Sequence, residues 1–193
     1  DLLDLNSNLK IIDSSYVLEA EYSPEELWLN PSSLLMMAQN VRLGLEEYIS
    51  SNVLKGEIDE DYNELKLLLS ELDATYRIDV ENTNDKIIVV ANKTLKYLEK
   101  FGLEVYCLDK EASEKTISDV EKLISSGDVN YIYSFKEEEI NDNAKKILDN
   151  YSSSISKLEI HKLDNLSDKE RSEKSDYLSI MENNLELIKK EIY

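Results

Sequence analysis

Ile87-Ile88-Val89-Val90, set between the turn residues Asn84-Asp85 and the run Ala91-Asn92-Lys93-Thr94, decides how this chain folds. An unbroken β-branched run, with no polar residue alternating along it, reads as a strand covered on both faces. From there to the C-terminus the periods of helix and strand alternate. A helix over 94–101 leads to a strand over 104–108, a helix over 113–125 to a strand over 130–135, and a helix over 141–151 to a strand over 157–163. A last helix runs from about 176 to 192, and residues 164–174, rich in Asp, Ser, Lys and Glu, read as a solvated loop. Alternation with short connections predicts an α/β fold: a parallel sheet of about four strands flanked by helices.

Upstream of Ile87, no Pro or Gly interrupts residues 57–85. Tyr62, Leu65, Leu69, Leu72 and Tyr76 mark one face there, and Leu68 widens the stripe. This predicts one long helix beginning near Asp59. Earlier still, Leu34, Leu35, Ala38, Val41, Leu45 and Ile49 recur at helical spacing behind Asn30 and Pro31, a natural N-cap and first-turn pair. A polar loop from Ser14 to Glu26 precedes them, its acidic residues gathered over 19–26. Residues 8–13 read as a short strand, and those before as the tail of a helix.

Hydrophobic residues make up 41% of the 193, enough for a packed core, while the net charge is −19. That charge repels phosphate backbones and anionic lipid, which excludes nucleic acid as a partner and favours cations as small ligands. Cys107 is the only cysteine, so no disulfide forms within the chain, and its short strand context reads as a buried, inert thiol. The chain opens at Asp1-Leu2-Leu3-Asp4 with no initiator Met or apolar signal core, which reads as processed or truncated.

The four glycines, Gly44, Gly56, Gly102 and Gly127, lie too far apart for a dinucleotide fingerprint or a phosphate loop. A single histidine, His161, rules out a metalloprotease motif, and no Gly-x-Ser-x-Gly elbow accompanies it. His161 reads as an ordinary residue at a strand end. Tyr131 and Tyr133, alternating on a strand, and Tyr62 and Tyr76 on the helix stripe read as packing residues. Nothing in this inventory supports an enzyme.

Four segments carry a resemblance. Leu27-Trp28-Leu29-Asn30-Pro31 is similar to a His-x-Trp-Leu-x-Pro motif that opens a helix. The run Val89 to Leu98, followed by Phe101-Gly102-Leu103, is similar to a strand, a His and then Ala-Phe-x-Tyr. Val129 to Phe135 resembles a strand that ends at a ligand carboxylate. Asp176-Tyr177-Leu178-Ser179-Ile180-Met181-Glu182-Asn183-Asn184-Leu185 is close to a terminal-helix signature, the most specific of the set. In this order they make the chain resemble the bacterial solute-binding proteins that feed zinc and manganese to ABC transporters, some of them described as adhesion lipoproteins.

The resemblance implies that residues 1–55 are the end of a first lobe, 56–84 the long connecting helix and 85–193 a second α/β lobe. Most of the first lobe, with the family's first histidine ligand, has no counterpart in the chain. The second ligand position aligns with Glu26, the third with Asn92 and the fourth, a carboxylate, with Phe135. A slip of one or two residues would place Lys136 or Glu137 there instead. Zinc takes His, Cys or carboxylate, whereas an oxygen set of Glu26, Asn92 and Glu137 suits manganese or calcium. The resemblance thus implies a metal-ion receptor of an ABC uptake system with an altered or lost site. A possible divalent cation (zinc, manganese or calcium) and an ABC permease are its partners. Its place is the periplasm or the cell surface, held by a lipid anchor upstream of Asp1. The alternative is a metal-free, adhesin-like surface module on the same scaffold.

Overall fold

In the computed structural model of the chain, which describes residues 9–193, four strands form one sheet: β1 (Ile87–Val90), β2 (Glu104–Cys107), β3 (Tyr131–Phe135) and β4 (Ser156–Ile160). All pair in parallel, in the order β2-β1-β3-β4, with Val90 opposite both Cys107 and Tyr133 and Phe135 opposite Ile160. The helices are α1 (Glu26–Leu29), α2 (Pro31–Tyr48), α3 (Asn52–Asn82), a 3₁₀-helix (Lys93–Phe101), α4 (Glu114–Ser126), α5 (Asp142–Asn150), α6 (Asp168–Ser172) and α7 (Tyr177–Ile192). Among the described residues, no helix is long and apolar enough to cross a membrane.

Because successive strand residues point to opposite faces, the β-branched run splits between two cores. Ile88 and Val90, with Tyr133, Phe135 and Ile160, meet α3, the 3₁₀-helix and α7 through residues such as Leu72, Tyr76, Leu95, Phe101, Met181 and Ile188. Val89 and Ile132 meet Val120 and Ile124 of α4 and Ala144 and Ile147 of α5 on the other side. The expected α/β architecture, a four-stranded parallel sheet with helices on both faces, is the one found. Tyr76 lies tilted on Phe101, ring centroids 4.8 Å apart, and its hydroxyl donates to the Met181 carbonyl at 2.7 Å. This bond fastens α3 to α7 across the core.

Several elements differ from expectation. Residues 9–13 form no strand. A strand needs a hydrogen-bonded neighbour, and this segment lies instead on α2, with Ile12 against Gly44, where a Cβ would meet the isoleucine at 2.6 Å. Residue 8 and the expected helix tail before it lie outside the described residues. Helix α3 starts at Asn52, capped by the Ser51 hydroxyl, so Gly56 sits inside the helix rather than before it. Residues 164–174 hold α6, which a capping box of Ser167 and Glu170 makes possible in five residues. The segment after β1 winds as a tighter 3₁₀-helix, ending at Gly102 with φ +100°. Strand β4 stops at Ile160, before His161 and Leu163. Cys107 is half-buried, and burial pushes its thiol up to about 11, consistent with an unreactive group.

Candidate functional site

In a sheet ordered β2-β1-β3-β4 the winding reverses between β1 and β3, and loops diverge there at the C-terminal ends of the strands, leaving a crevice. A cavity of about 460 Å³ occupies it, lined by Asn92, Asp109, Ser134, Phe135, Glu138 and Asn141 among others. Asn92, just past β1, caps the 3₁₀-helix by accepting from the Thr94 amide at 2.9 Å, and its own amide donates to Glu138 at 2.9 Å. Asn141 caps α5 and donates to the Ala91 carbonyl at 2.6 Å. The Ser134 side chain, 3% exposed, has no hydrogen-bond partner for its hydroxyl among the described residues. A polar ligand in the crevice would supply one.

The tryptophan segment packs beside this edge. Asn30 accepts from the Ser32 amide at 3.0 Å with Pro31 in the first turn, which starts α2 as the sequence predicts. The Trp28 indole N–H donates to the Lys162 carbonyl at 3.0 Å, and the Tyr177 hydroxyl donates to the Trp28 carbonyl at 2.8 Å. Glu26 is only 1% exposed. Its carboxylate accepts from the amides of Glu21 at 3.3 Å, Ser23 at 2.7 Å and Tyr22, and from the Lys100 ammonium at 3.3 Å. A buried carboxylate requires such partners, and here they fold the acidic loop back over α1.

At the end of β3, Phe135 is fully buried in the core, and just past it Lys136 pairs with Glu170 at 2.8 Å. Glu137 is exposed and adopts φ +64°, and this left-handed step turns the chain so that the next residue, Glu138, reaches the crevice. Glu138 accepts from Asn92 and pairs with the Lys162 ammonium at 2.8 Å. The same ammonium pairs with Glu25 at 3.2 Å and lies 5.7 Å from the centre of the Phe135 ring. The Glu138 hydrogen bond, opposed by partial burial and aided by Glu25, holds the Lys162 amine above its ordinary value. Burial alone would push Glu25 up, but its own backbone, the Ser23 hydroxyl and Lys162 carry it below the usual range. Sequence reasoning missed Glu25, Glu138 and Lys162, since carboxylates and lysines are common and nothing local marks these three.

His161 stands one residue past β4, as expected at a strand end. Its Nδ1 accepts from the Leu163 amide at 2.8 Å, its Nε2 lies 3.5 Å from Glu170, and its backbone N–H donates to Asn184 at 2.9 Å.

The profile of the family described as zinc-uptake complex component A, periplasmic, matches residues 6–191. The chain belongs to this family. No curated protein sequence matches the chain. Among solved structures, the Zn(II)-bound ZnuA-like domain of Streptococcus pneumoniae AdcA is 19% identical, with a TM-score of 0.73 over 99% of this chain and 74% of that one. The metal-dependent lipoprotein YcdH from Bacillus subtilis is 19% identical, with a TM-score of 0.77 over 97% of this chain and 72% of that one. The laminin-binding protein Lbp of Streptococcus pyogenes is 17% identical, with a TM-score of 0.75 over 98% and 74%. At these identities the structures establish the fold.

For this member of the zinc-uptake family, the positions aligned with metal ligands do not share a ligand, and among the described residues Glu26 and Asn92 are linked only through Ser23 and Thr94, whose hydroxyls lie 2.8 Å apart. The acceptor sites of Glu26 serve loop amides and Lys100, Asn92 joins Thr94 and Glu138, and Phe135 offers no donor atom. Among the described residues, no three His, Cys, Asp or Glu side chains gather where they could hold a metal ion. That donor set does not fit a tetrahedral zinc centre. What the crevice does offer is oxygen: the carboxylates of Asp109, Glu111, Glu138 and Glu139, the amides of Asn92 and Asn141, and the Ser134 hydroxyl.

Proposed function

We propose that the chain is the metal-ion solute-binding component of a zinc or manganese ABC uptake system, with an altered site. The family match across residues 6–191 carries this reading. A crevice at the C-terminal edge of the parallel sheet, where such folds place ligands, supports it. Residues 1–55 belong to the end of a first lobe, 56–84 to the connecting helix and 85–193 to the second lobe. The cation is captured at the lobe boundary and handed to a permease. The protein works in the periplasm or at the cell surface through a lipid anchor, and as a binder rather than an enzyme. Metal analysis and calorimetric titration with zinc, manganese and calcium test it, using the protein joined to a complete first lobe. Stoichiometric uptake of one of the three is expected, and silence with all three overturns the reading.

A second reading is a metal-free, adhesin-like module. The core position of Phe135 and the saturated carboxylate of Glu26 favour it. Saturable binding to laminin, which the Streptococcus pyogenes relative is described as binding, together with silence towards metals, would select it.

A further inference from the structure

We propose that the Lys162 ammonium is a tethered cation which joins Glu25 to Glu138 beside the crevice and keeps divalent cations from that carboxylate pair. This rests on the receptor reading only for the importance of the crevice.

The geometry assigns the role to Lys162 by several independent contacts. Its nitrogen lies 3.2 Å from a Glu25 oxygen and 2.8 Å from a Glu138 oxygen, so one monovalent charge bridges two carboxylates from distant parts of the chain. The Phe135 ring stands 5.7 Å away and presents its face to the ammonium, an apolar surface that holds the lysine and offers a free divalent cation no oxygen. Glu138 is aimed by the positive φ of Glu137 and held from its other oxygen by Asn92. The lysine is aimed from both sides: the Trp28 indole holds its carbonyl, and Leu163, with φ +62°, turns the chain immediately after it. Ser134, buried and unpartnered, lines the same crevice and offers a further oxygen.

Physically, the arrangement answers a charge problem. Two carboxylates within reach of one nitrogen repel each other unless a cation lies between them. An ammonium on a side chain fills that place with no loss of translational freedom, so a free cation meets both a competitor of very high local concentration and a positive charge. The charge of −19 would otherwise draw divalent cations to any such pair.

The test compares the 193-residue protein with Lys162→Met, which keeps the apolar stem against Phe135 and deletes the charge. Manganese is titrated calorimetrically and by its electron spin resonance signal. Lys162→Met is expected to bind manganese about ten-fold or more tightly than the unaltered protein, Lys162→Arg to match the unaltered protein, and Lys162→Met with Glu138→Gln to lose the gain. Equal affinity in Lys162→Met and the unaltered protein overturns the proposal, whichever way the receptor reading falls. Trp28 emission reports whether each variant is folded, because the indole is bonded to residue 162. A readout needing no variant is the acylation rate of lysines in the native protein. Lys162 is expected to react more slowly than the exposed Lys110, and equal rates overturn the proposal.

Discussion

Helix α3 passes through two environments. Its C-terminal half buries Leu69, Leu72, Tyr76 and Val80, the last three in the core shared with the sheet and α7. Its N-terminal half packs on α2 and leaves the stripe residues Leu54 49% and Leu65 37% exposed. The apolar stripe is continuous along the helix, yet its burial stops where the sheet's reach stops. Periodicity sets which face is apolar, and the neighbouring layer sets whether that face is stable in water.

The sharpest way to break this contrast is a pair of truncations. Leu72→Ala should cost about 3 kcal/mol by opening a cavity in the packed half, whereas Leu65→Ala, on the same stripe, should cost no more than about 1 kcal/mol. Guanidinium melts followed by circular dichroism measure both, and equal costs would mean the two halves are alike. Next in size, Glu26→Ala strands the amides of Glu21, Tyr22 and Ser23 and should cost about 2 kcal/mol. Hydrogen exchange at those three amides should accelerate, and unchanged protection would show that the carboxylate does not organise the acidic loop. The smallest effect is one of pH. Glu25 is held below its ordinary value of 4.5, so its contribution is complete above that value and drains away as pH falls through the lowered one. Trp28 emission should shift to the red over that acid range, and Lys162→Met should show a smaller step, the part held by the Glu25 backbone and Ser23 remaining.

Much of the sheet was legible in the residues. Ile87 to Val90 could form little else than a strand buried on both faces, and Asn30-Pro31 started α2 as their chemistry requires. The failures share a cause. Residues 9–13 carry strand composition but no partner strand lies beside them, and residues 164–174 look like loop because a capping box can stabilise a helix too short for any periodicity. At the candidate site, the alignment led to Glu26, Asn92, Phe135 and Glu137, whereas the carboxylates that meet a cation side by side are Glu25 and Glu138. A single left-handed residue, Glu137, turns the chain so that Glu138 reaches the crevice, and its φ leaves no mark on composition.

By itself, then, the sequence determined the order of helices and strands, the exclusion of nucleotide-binding motifs and the likeness to metal-receptor proteins. These depend on local spacing and residue type. Only the tertiary structure decided which half of α3 is covered and that Lys162 stands between Glu25 and Glu138. Those pairings arise where loops from non-adjacent segments converge at the edge of a parallel sheet, and a contact between distant segments has no local pattern to announce it.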